Sequence, residues 1–217
     1  MANFTTNNVS RIDKLTAVVT ATIPAGTGPR GIAVDGTYAW VANNTSGTVT
    51  RIKKSDSSTT TITGLAGAFG IAVDATYCYV TCVPAGVPYT VQRINRGTAN
   101  VTSSIQVGVQ PTGIAVDADY VWVANRSDAT VSCIDKIAWT MVDAAIDLKP
   151  TSINNPSPYG IAVDGTVCYV TGQLYSQIRR IKNSDRTLFA NIVTGTANET
   201  YSIGDMTGYA FDNYSWR

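Results

Sequence analysis

GIAVD, at residues 31–35, is the stretch that decides the fold, because the chain repeats it at nearly even intervals. Four copies are identical and a fifth reads GYAFD: residues 31–35, 70–74, 113–117, 160–164 and 208–212. Successive copies start 39, 43, 47 and 48 residues apart. A β-propeller blade uses about 40–50 residues for four short strands and their turns. The repeat therefore predicts an all-β protein, a five-bladed β-propeller.

The repeat at residues 28–62 shows how one blade is built. GIAVD is strand A, and it is followed by strand B at Tyr38–Asn43, strand C at Thr48–Lys53 and strand D at Thr59–Ile62. Strands A and B are apolar at nearly every position, which is typical of strands covered on both faces. No segment has a helical period. We expect four-stranded antiparallel blades, lettered A to D from the ring centre outward.

The two ends of the chain carry complementary parts of a repeat. Residues 1–14 align without a gap with residues 41–54, and residues 208–216 align with 31–40 with one residue missing from the A–B turn. We expect a single domain, 1–217, with blade repeats starting near residues 31, 70, 113, 160 and 208. The last blade would be continued by residues 1–23, which removes open sheet edges. The alternative is an excised stretch of a longer propeller.

The composition narrows the possible functions. The net charge of +1 indicates neither a nucleic-acid nor a membrane partner, and no apolar run is long enough for a span or a signal peptide. The chain has no histidine, which excludes Ser-His-Asp and Cys-His catalysis and histidine metal sites. We expect no catalytic residues, no metal, no cofactor and a monomer. The four cysteines are interpreted as small core residues.

The D–A and B–C loops should share one face around the channel, and their residues vary while the strands repeat. The position before the A-strand glycine holds Arg30, Phe69, Thr112, Tyr159 and Thr207, and the B–C loop begins with Phe4, Asn44, Val83, Arg126 and Gln173. A repeated scaffold with divergent loop tips suits recognition. The candidate ligand-binding residues are Arg30, Phe69, Tyr159, Phe4, Asn3, Asn43, Asn125 and Arg126. The alternatives are neutral drift, packing of the aromatic rings over the channel mouth, and asparagines that cap turns through the backbone.

Two other series are interpreted as structural. The aspartates Asp35, Asp74, Asp117, Asp164 and Asp212 each open an A–B turn on the opposite face. The aromatic series is Trp40, Tyr79, Trp122, Tyr169 and Trp216. We expect the aspartates to hold the turns and the aromatic rings to pack between blades.

The strand-B sequences carry a resemblance to a known family. Tyr79-Val80-Thr81 and Tyr169-Val170-Thr171, with Asn43 and Asn125 one place further along in sister repeats, resemble the YVTN type of β-propeller repeat. The resemblance spans essentially the whole chain, although Cys82 and Gly172 stand where the asparagine would be. It implies a propeller. Such repeats occur in surface-layer proteins, lactonase-like enzymes and binding modules, so the resemblance leaves the function open.

Three functions remain. The first is a non-enzymatic binding module for a glycan or protein, which uses the D–A and B–C face. The second is a structural domain of a microbial surface or phage particle. The third is a lactonase- or lyase-like enzyme, for which only Asp128 and Asp205 come near that face. The first is preferred, with a location outside the cell or on a particle surface.

Overall fold

The computed structural model describes residues 1–86, 88–148, 157–172, 177–189 and 192–193, and every regular element in them is a strand. The described part of the chain has no helix that could cross a membrane. The strands form five sheets, four of them with four strands and one with three. The alternation of strand and turn predicted by the repeat is therefore confirmed.

The first sheet contains β1 (Ala2–Asn3), β2 (Asn8–Ile12) and β3 (Val19–Pro24). The second contains β4 (Pro29–Val34), β5 (Tyr38–Asn43), β6 (Thr48–Lys53) and β7 (Thr59–Ile62). The third contains β8 (Ala68–Val73), β9 (Tyr77–Cys82), β10 (Thr90–Asn95) and β11 (Val101–Gln106). The fourth contains β12 (Pro111–Val116), β13 (Tyr120–Asn125), β14 (Thr130–Asp135) and β15 (Thr140–Asp147). The fifth contains β16 (Pro158–Val163), β17 (Val167–Gly172), β18 (Gln177–Lys182) and β19 (Ile192–Val193).

The chain divides into two compact units. Unit 1 comprises Met1–Val87 and Val91–Ser104, and unit 2 comprises Pro88–Thr90 and Ile105–Arg217. In each sheet the strands follow chain order, and the first two strands pair antiparallel. The segment 208–217, with the fifth GIAVD-like copy and Trp216, lies outside the described residues. Closure of a blade by the two ends stays a prediction.

The cores lie between the faces of neighbouring sheets. In unit 1, Val9 and Ile23 of the first sheet pack with Val41 and Ile52 of the second. A second cluster in unit 1 joins the second and third sheets, and a cluster in unit 2 joins the fourth and fifth. The side chains of Trp40, Tyr79 and Trp122 have no exposed surface. Trp40 and Trp122 belong to the clusters that join two sheets, so the prediction that the aromatic series packs between sheets is confirmed for these two.

Two of the GIAVD glycines, Gly31 and Gly113, lie where the first strands of neighbouring sheets come close. A Cβ atom on Gly31 would lie 2.5 Å from the carbonyl oxygen of Phe69 in β8. In unit 2, a Cβ on Gly113 would lie 2.5 Å from the carbonyl oxygen of Tyr159 in β16. Only glycine leaves room for backbone this close. At Gly31 and Gly113, glycine is therefore required because the first strands of two neighbouring sheets approach each other.

The aspartate that ends each GIAVD copy holds the A–B turn, as predicted. Oδ1 of Asp35 accepts hydrogen bonds from the backbone N–H groups of Thr37 (2.6 Å) and Tyr38 (2.7 Å). Oδ2 accepts one from the Trp40 indole N–H at 2.7 Å. The same three bonds recur at Asp74, Asp117 and Asp164, with Tyr79, Trp122 and Tyr169 as the aromatic donors. Asp212 lies outside the described residues.

The Arg96 side chain bridges the second and third sheets at the end of unit 1 that carries the aspartate turns. The guanidinium of Arg96 forms an ion pair with Asp35 at 3.0 Å and donates to the carbonyl of Asp74 at 2.7 Å. Burial opposes ionisation of Asp35, but the bonds from Trp40 and the turn and the Arg96 charge outweigh it and lower the pKa of this carboxyl. The carboxylate thus stabilises its own turn and links two sheets.

The four cysteines are free thiols in the core, as predicted: Cys78, Cys82, Cys133 and Cys168. Burial raises the pKa of Cys133 to about 12 and raises the pKa values of Cys78 and Cys168 well above their usual range. These three thiols stay protonated at neutral pH, so they behave as small apolar side chains.

Candidate functional site

The start of strand A and the end of strand B lie at the same end of each four-stranded sheet, opposite the aspartate turns. In the second sheet Pro29 pairs with Asn43, and the backbone N–H of Asn44 donates to the Gly28 carbonyl at 2.9 Å. In the fourth sheet the backbone N–H of Arg126 donates to the Gln110 carbonyl at 3.0 Å. The D–A loop and the B–C turn of a sheet therefore share one end, as expected.

A β-bulge occupies this end of the first strand pair in four sheets. The register shifts between Pro29 and Ile32, Ala68 and Ile71, Pro111 and Ile114, and Pro158 and Gly160. The residues inside these bulges are the predicted recognition positions: Arg30, Phe69, Thr112 and Tyr159. Bulges redirect side chains and are over-represented next to functional sites. The variable position therefore lies in a β-bulge in each of these four sheets.

Three predicted site residues of unit 1 come together at these bulges. The Arg30 guanidinium lies over the Phe4 ring, with Cζ 4.7 Å from its centroid, and over the Phe69 ring at 4.9 Å. We call Phe4, Arg30 and Phe69 the Arg30 stack. Phe4 is 48% exposed, and Arg30 and Phe69 are partly buried. Contacts of this geometry are cation–π interactions.

The neighbouring loops explain why Phe4 reaches Arg30. Asn7 ends the turn that begins at Phe4, and its side-chain oxygen accepts a hydrogen bond from the Gly28 N–H at 2.9 Å. Its backbone carbonyl accepts another from the Ala25 N–H at 3.0 Å. Gly28 has a φ of +66°, a conformation that favours glycine, and it leads into β4. The B–C turn of the first sheet is thereby tied to the D–A loop of the second.

Arg30 has no hydrogen-bond or ion-pair partner among the described residues, and its Nε is buried without one, as is the Nε of Arg51. The two arginines differ in their other N–H groups. The Arg51 guanidinium also lies over a ring, 4.6 Å from the Tyr38 centroid, but it donates to the Arg96 carbonyl at 2.9 Å. Arg51 thus links two sheets, whereas the N–H groups of Arg30 serve no such contact in the described part.

In unit 2 the equivalent positions are used differently. Thr112 is buried, and its hydroxyl lies within hydrogen-bond distance of the carbonyls of Tyr159 (3.1 Å) and Pro158 (3.2 Å). It therefore holds the start of β16. Tyr159 itself is partly buried in this bulge. Arg126 is partly exposed, and its guanidinium has no partner among the described residues. The structure does not bring Arg126 and Tyr159 into a described contact.

The asparagines at the end of strand B join strands B and C. Nδ2 of Asn43 donates to Oγ1 of Thr48 (3.1 Å) and of Thr50 (2.9 Å), and Asn43 is fully buried. Asn125 makes the same bonds to Thr130 and Ser132, and Asn3 to Asn8 and Ser10. The partners are side chains five and seven residues on, rather than turn backbone. Sequence reasoning missed this pattern, although the polar residues at those two spacings were visible.

The buried asparagines leave one polar atom each without a partner. Oδ1 of Asn43 and Oδ1 of Asn125 are buried and accept no hydrogen bond from the described residues. A buried polar atom of this kind commonly has a water or ligand partner. Each lies at the end of its own sheet that carries the D–A and B–C loops, which we call the recognition end. Asn43 and Asn125 therefore both remain candidate contact residues.

The acidic residues near this end have structural partners. Oδ2 of Asp128 accepts a hydrogen bond from the backbone N–H of Val109 at 2.6 Å, so this carboxylate holds the D–A loop of the fourth sheet. Asp205 lies outside the described residues. Within those residues no group of three or more His, Cys, Asp or Glu side chains is placed to hold a metal ion.

No protein-family model and no curated protein matches the chain. Solved structures do match. Hydrazine synthase of Kuenenia stuttgartiensis has a TM-score of 0.64 at 15% identity, over 88% of this chain and 82% of that chain. A chain of the nidogen/laminin complex has a TM-score of 0.68 at 15% identity, over 85% and 71%. Apo AztD from Citrobacter koseri has a TM-score of 0.58 at 15% identity, over 86% of this chain and 56% of that chain.

These neighbours are β-propeller proteins built from repeated antiparallel four-stranded sheets. At such low identity the likeness shows the fold alone. The chain therefore has a β-propeller fold, and its function must be argued from its own residues.

Proposed function

We propose that this chain is a five-bladed β-propeller that binds a glycan or protein ligand and does not catalyse a reaction. In this proposal the repeats are of the YVTN type, and the fifth blade is made from residues 208–217 and 1–23. The molecule is a monomer without a nucleic-acid or membrane partner, and it acts outside a cell or on a particle surface. The ligand binds at the end of the sheets that carries the D–A and B–C loops.

The Arg30 stack is the observation that carries the proposal. Its guanidinium lies against two aromatic rings and has no hydrogen-bond or ion-pair partner among the described residues. Arginine and aromatic side chains are the residues most enriched at the centres of binding sites. The two ring contacts use the face-to-ring attraction of the guanidinium, but none of its N–H groups donates to a described residue. A bound ligand supplies hydrogen-bond acceptors for these N–H groups.

The carboxylates support a role in binding rather than catalysis. Acid–base catalysis requires a carboxylate or another titrating group that is free to reach the substrate. The aspartates of the four described repeats hold turns at the other end of their sheets, and Asp128 holds a loop. The recognition end of unit 1 includes Phe4, Arg30 and Phe69 and the hydroxyl-bearing loop residues Thr5 and Thr6.

A glycan array probed with the whole chain tests the proposal, followed by titration of any bound glycan to variants. Phe69→Ala is expected to weaken binding about tenfold or more, because aromatic truncation at the centre of a site commonly costs that much. Tyr159→Ala tests the equivalent position in unit 2 separately. Thr37→Ala is the matched control, because Thr37 is exposed in the A–B turn at the opposite end of the second sheet.

The proposal requires that Phe69→Ala lowers affinity while Thr37→Ala does not. Thermal stability of Thr37→Ala should stay within about 0.5 kcal/mol of the parent, as is usual for surface substitutions. Equal losses of affinity in both variants would refute the assignment of the face. Absence of any glycan or protein ligand in the array and in a matched protein pull-down would favour a structural domain of a surface or particle.

A further inference from the structure

We infer that the Arg30 stack binds an acidic glycan, whose carboxylate accepts hydrogen bonds from the Arg30 guanidinium, an assignment that rests on the proposed function and names its ligand class. The three residues involved all lie in unit 1.

Two rings confine the Arg30 side chain. Phe4 and Phe69 lie with their ring centroids 4.7 Å and 4.9 Å from Cζ. These contacts use no N–H group of the guanidinium, whose five N–H groups lie in its plane. Contact with two rings restricts rotation of the side chain, which lowers the entropy lost when a ligand binds.

The charge of Arg30 is uncompensated in the described part of the chain. No carboxylate there forms an ion pair with it, and Nε is buried without a partner. A partly buried cation without a counter-charge attracts an anion more strongly than an exposed one, because solvent screening is weaker. The guanidinium fork matches the two oxygens of a carboxylate and forms paired, charge-assisted hydrogen bonds with it.

The loops around the stack are suited to a sugar. Phe4 is 48% exposed and therefore offers an apolar surface to a ligand. Several exposed loop residues near the stack bear hydroxyl groups: Thr5 and Thr6 follow Phe4, Thr27 precedes Arg30 by three residues, and Thr45 donates its backbone N–H to the Thr27 carbonyl. Hydroxyls both donate and accept hydrogen bonds, as sugar hydroxyls require. One cation among hydroxyl groups and aromatic surface fits a sugar that carries a single carboxylate better than a highly charged peptide.

Matched pairs of sugars test the role of the carboxylate. The probes are trigalacturonate against its methyl ester, and sialyllactose against lactose, titrated into the full chain by calorimetry. At least one acid is expected to bind about tenfold or more tightly than its neutral partner, the usual range for hydrogen bonds to charged groups. Arg30→Gln should reduce binding of that acid to the level of the neutral sugar.

The charge control is Lys53→Gln. Lys53 lies at the opposite end of the second sheet and forms only an exposed ion pair with Asp56 at 3.2 Å. Lys53→Gln removes the same charge as Arg30→Gln. Unchanged affinity in Lys53→Gln would therefore separate local binding at Arg30 from a general electrostatic effect. Arg30→Lys keeps the charge without the planar fork, and it should recover only part of the affinity.

A second readout does not depend on the stability of a variant. The Nε–Hε signal of Arg30 in a nitrogen-15 correlation spectrum of the parent, assigned by its absence in Arg30→Gln or by its contacts to the Phe4 ring, should shift with glucuronate and not with glucose. Equal binding of acids and their neutral partners would overturn the inference, as would tighter binding of a sulfated sugar or no binding of either acid. If a neutral glycan binds and Phe69→Ala weakens it, the proposed function stands and the carboxylate assignment alone fails.

Discussion

Replacing Gly31 with alanine should destabilise the fold more than its small size suggests. A Cβ atom at this position would lie 2.5 Å from the carbonyl oxygen of Phe69, 3.1 Å from the backbone nitrogen of Ile71 and 3.2 Å from its Cγ2. Two of these three atoms belong to the backbone of β8 and cannot rotate away. Strand β4 would have to move away from β8 to accommodate the methyl group, and the packing between the second and third sheets would loosen.

The loss of stability depends on which atoms the added methyl group would overlap. Inserting extra atoms into a packed core typically costs about 1–3 kcal/mol, and a collision with backbone belongs at the upper end, about 3 kcal/mol. For a chain of this size each kcal/mol lowers Tm by about 2–4 °C, so Gly31→Ala should lower Tm by about 6–12 °C. Gly36→Ala is the matched control, because a Cβ there meets nothing within 4 Å.

Thermal melts of parent, Gly31→Ala and Gly36→Ala, followed by far-ultraviolet circular dichroism at equal concentration, decide the matter. Gly36→Ala should melt within about 2 °C of the parent, since a surface change stays within about 0.5 kcal/mol. If Gly31→Ala melts with the parent, the close approach of β4 and β8 is not rigid. If both variants lose stability equally, the effect belongs to glycine itself and the packing argument fails.

Two further predictions concern acid and the chain ends. Burial opposes ionisation of Asp35 and Asp164, but hydrogen bonds from the turn and an aromatic side chain outweigh it and lower the pKa values of both carboxyls. The two carboxylates should therefore contribute fully to the stability of the fold above the unfolded pKa near 4, and this contribution should be lost as the pH falls through the lower folded values. Urea unfolding of parent and Asp35→Asn from about pH 7 to 2.5 should show a shallower acid loss in the variant, and identical slopes would contradict this. Deleting residues 208–217 should make the chain oligomerise or become insoluble on size exclusion, because an inner strand would be missing; a truncated monomer with the parent Tm would refute closure by the two ends.

Strand positions could be predicted from the sequence because the repeat fixed them several times over. Strand B was placed at Tyr38–Asn43, and β5 has the same bounds. Strand A was placed at residues 31–35, whereas β4 runs from Pro29 to Val34. It starts earlier because Pro29 still pairs with Asn43 beyond the bulge, and it ends earlier because Asp35 caps the turn. A bulge leaves no mark in a hydrophobic pattern, so this shift was not predictable.

The candidate site could be predicted only in part. Position in the repeat was enough to select Phe4, Arg30 and Phe69, but it placed Phe4 in one ring of residues and the other two in another. Their contact depends on the Asn7 bonds to Gly28 and Ala25, which join a turn and a loop from different sheets. The aspartate–aromatic bonds were missed for a related reason: they link residues five apart across a turn, where neither strand nor helix spacing applies.

Variation among repeats is by itself weak evidence for a binding site. The structure adds a second criterion, which is whether the fold itself uses the side chain. Thr112 and Arg30 occupy equivalent bulges in two different sheets. Thr112 is buried and reaches two carbonyls at the start of β16, so its identity is explained by the fold. Arg30 lies against two aromatic rings and carries a charge that no described residue neutralises. A variable residue whose hydrogen bonds hold neighbouring backbone is structural, whereas an arginine without a hydrogen-bond or ion-pair partner among the described residues remains a candidate ligand contact, and Arg30 is of the second kind.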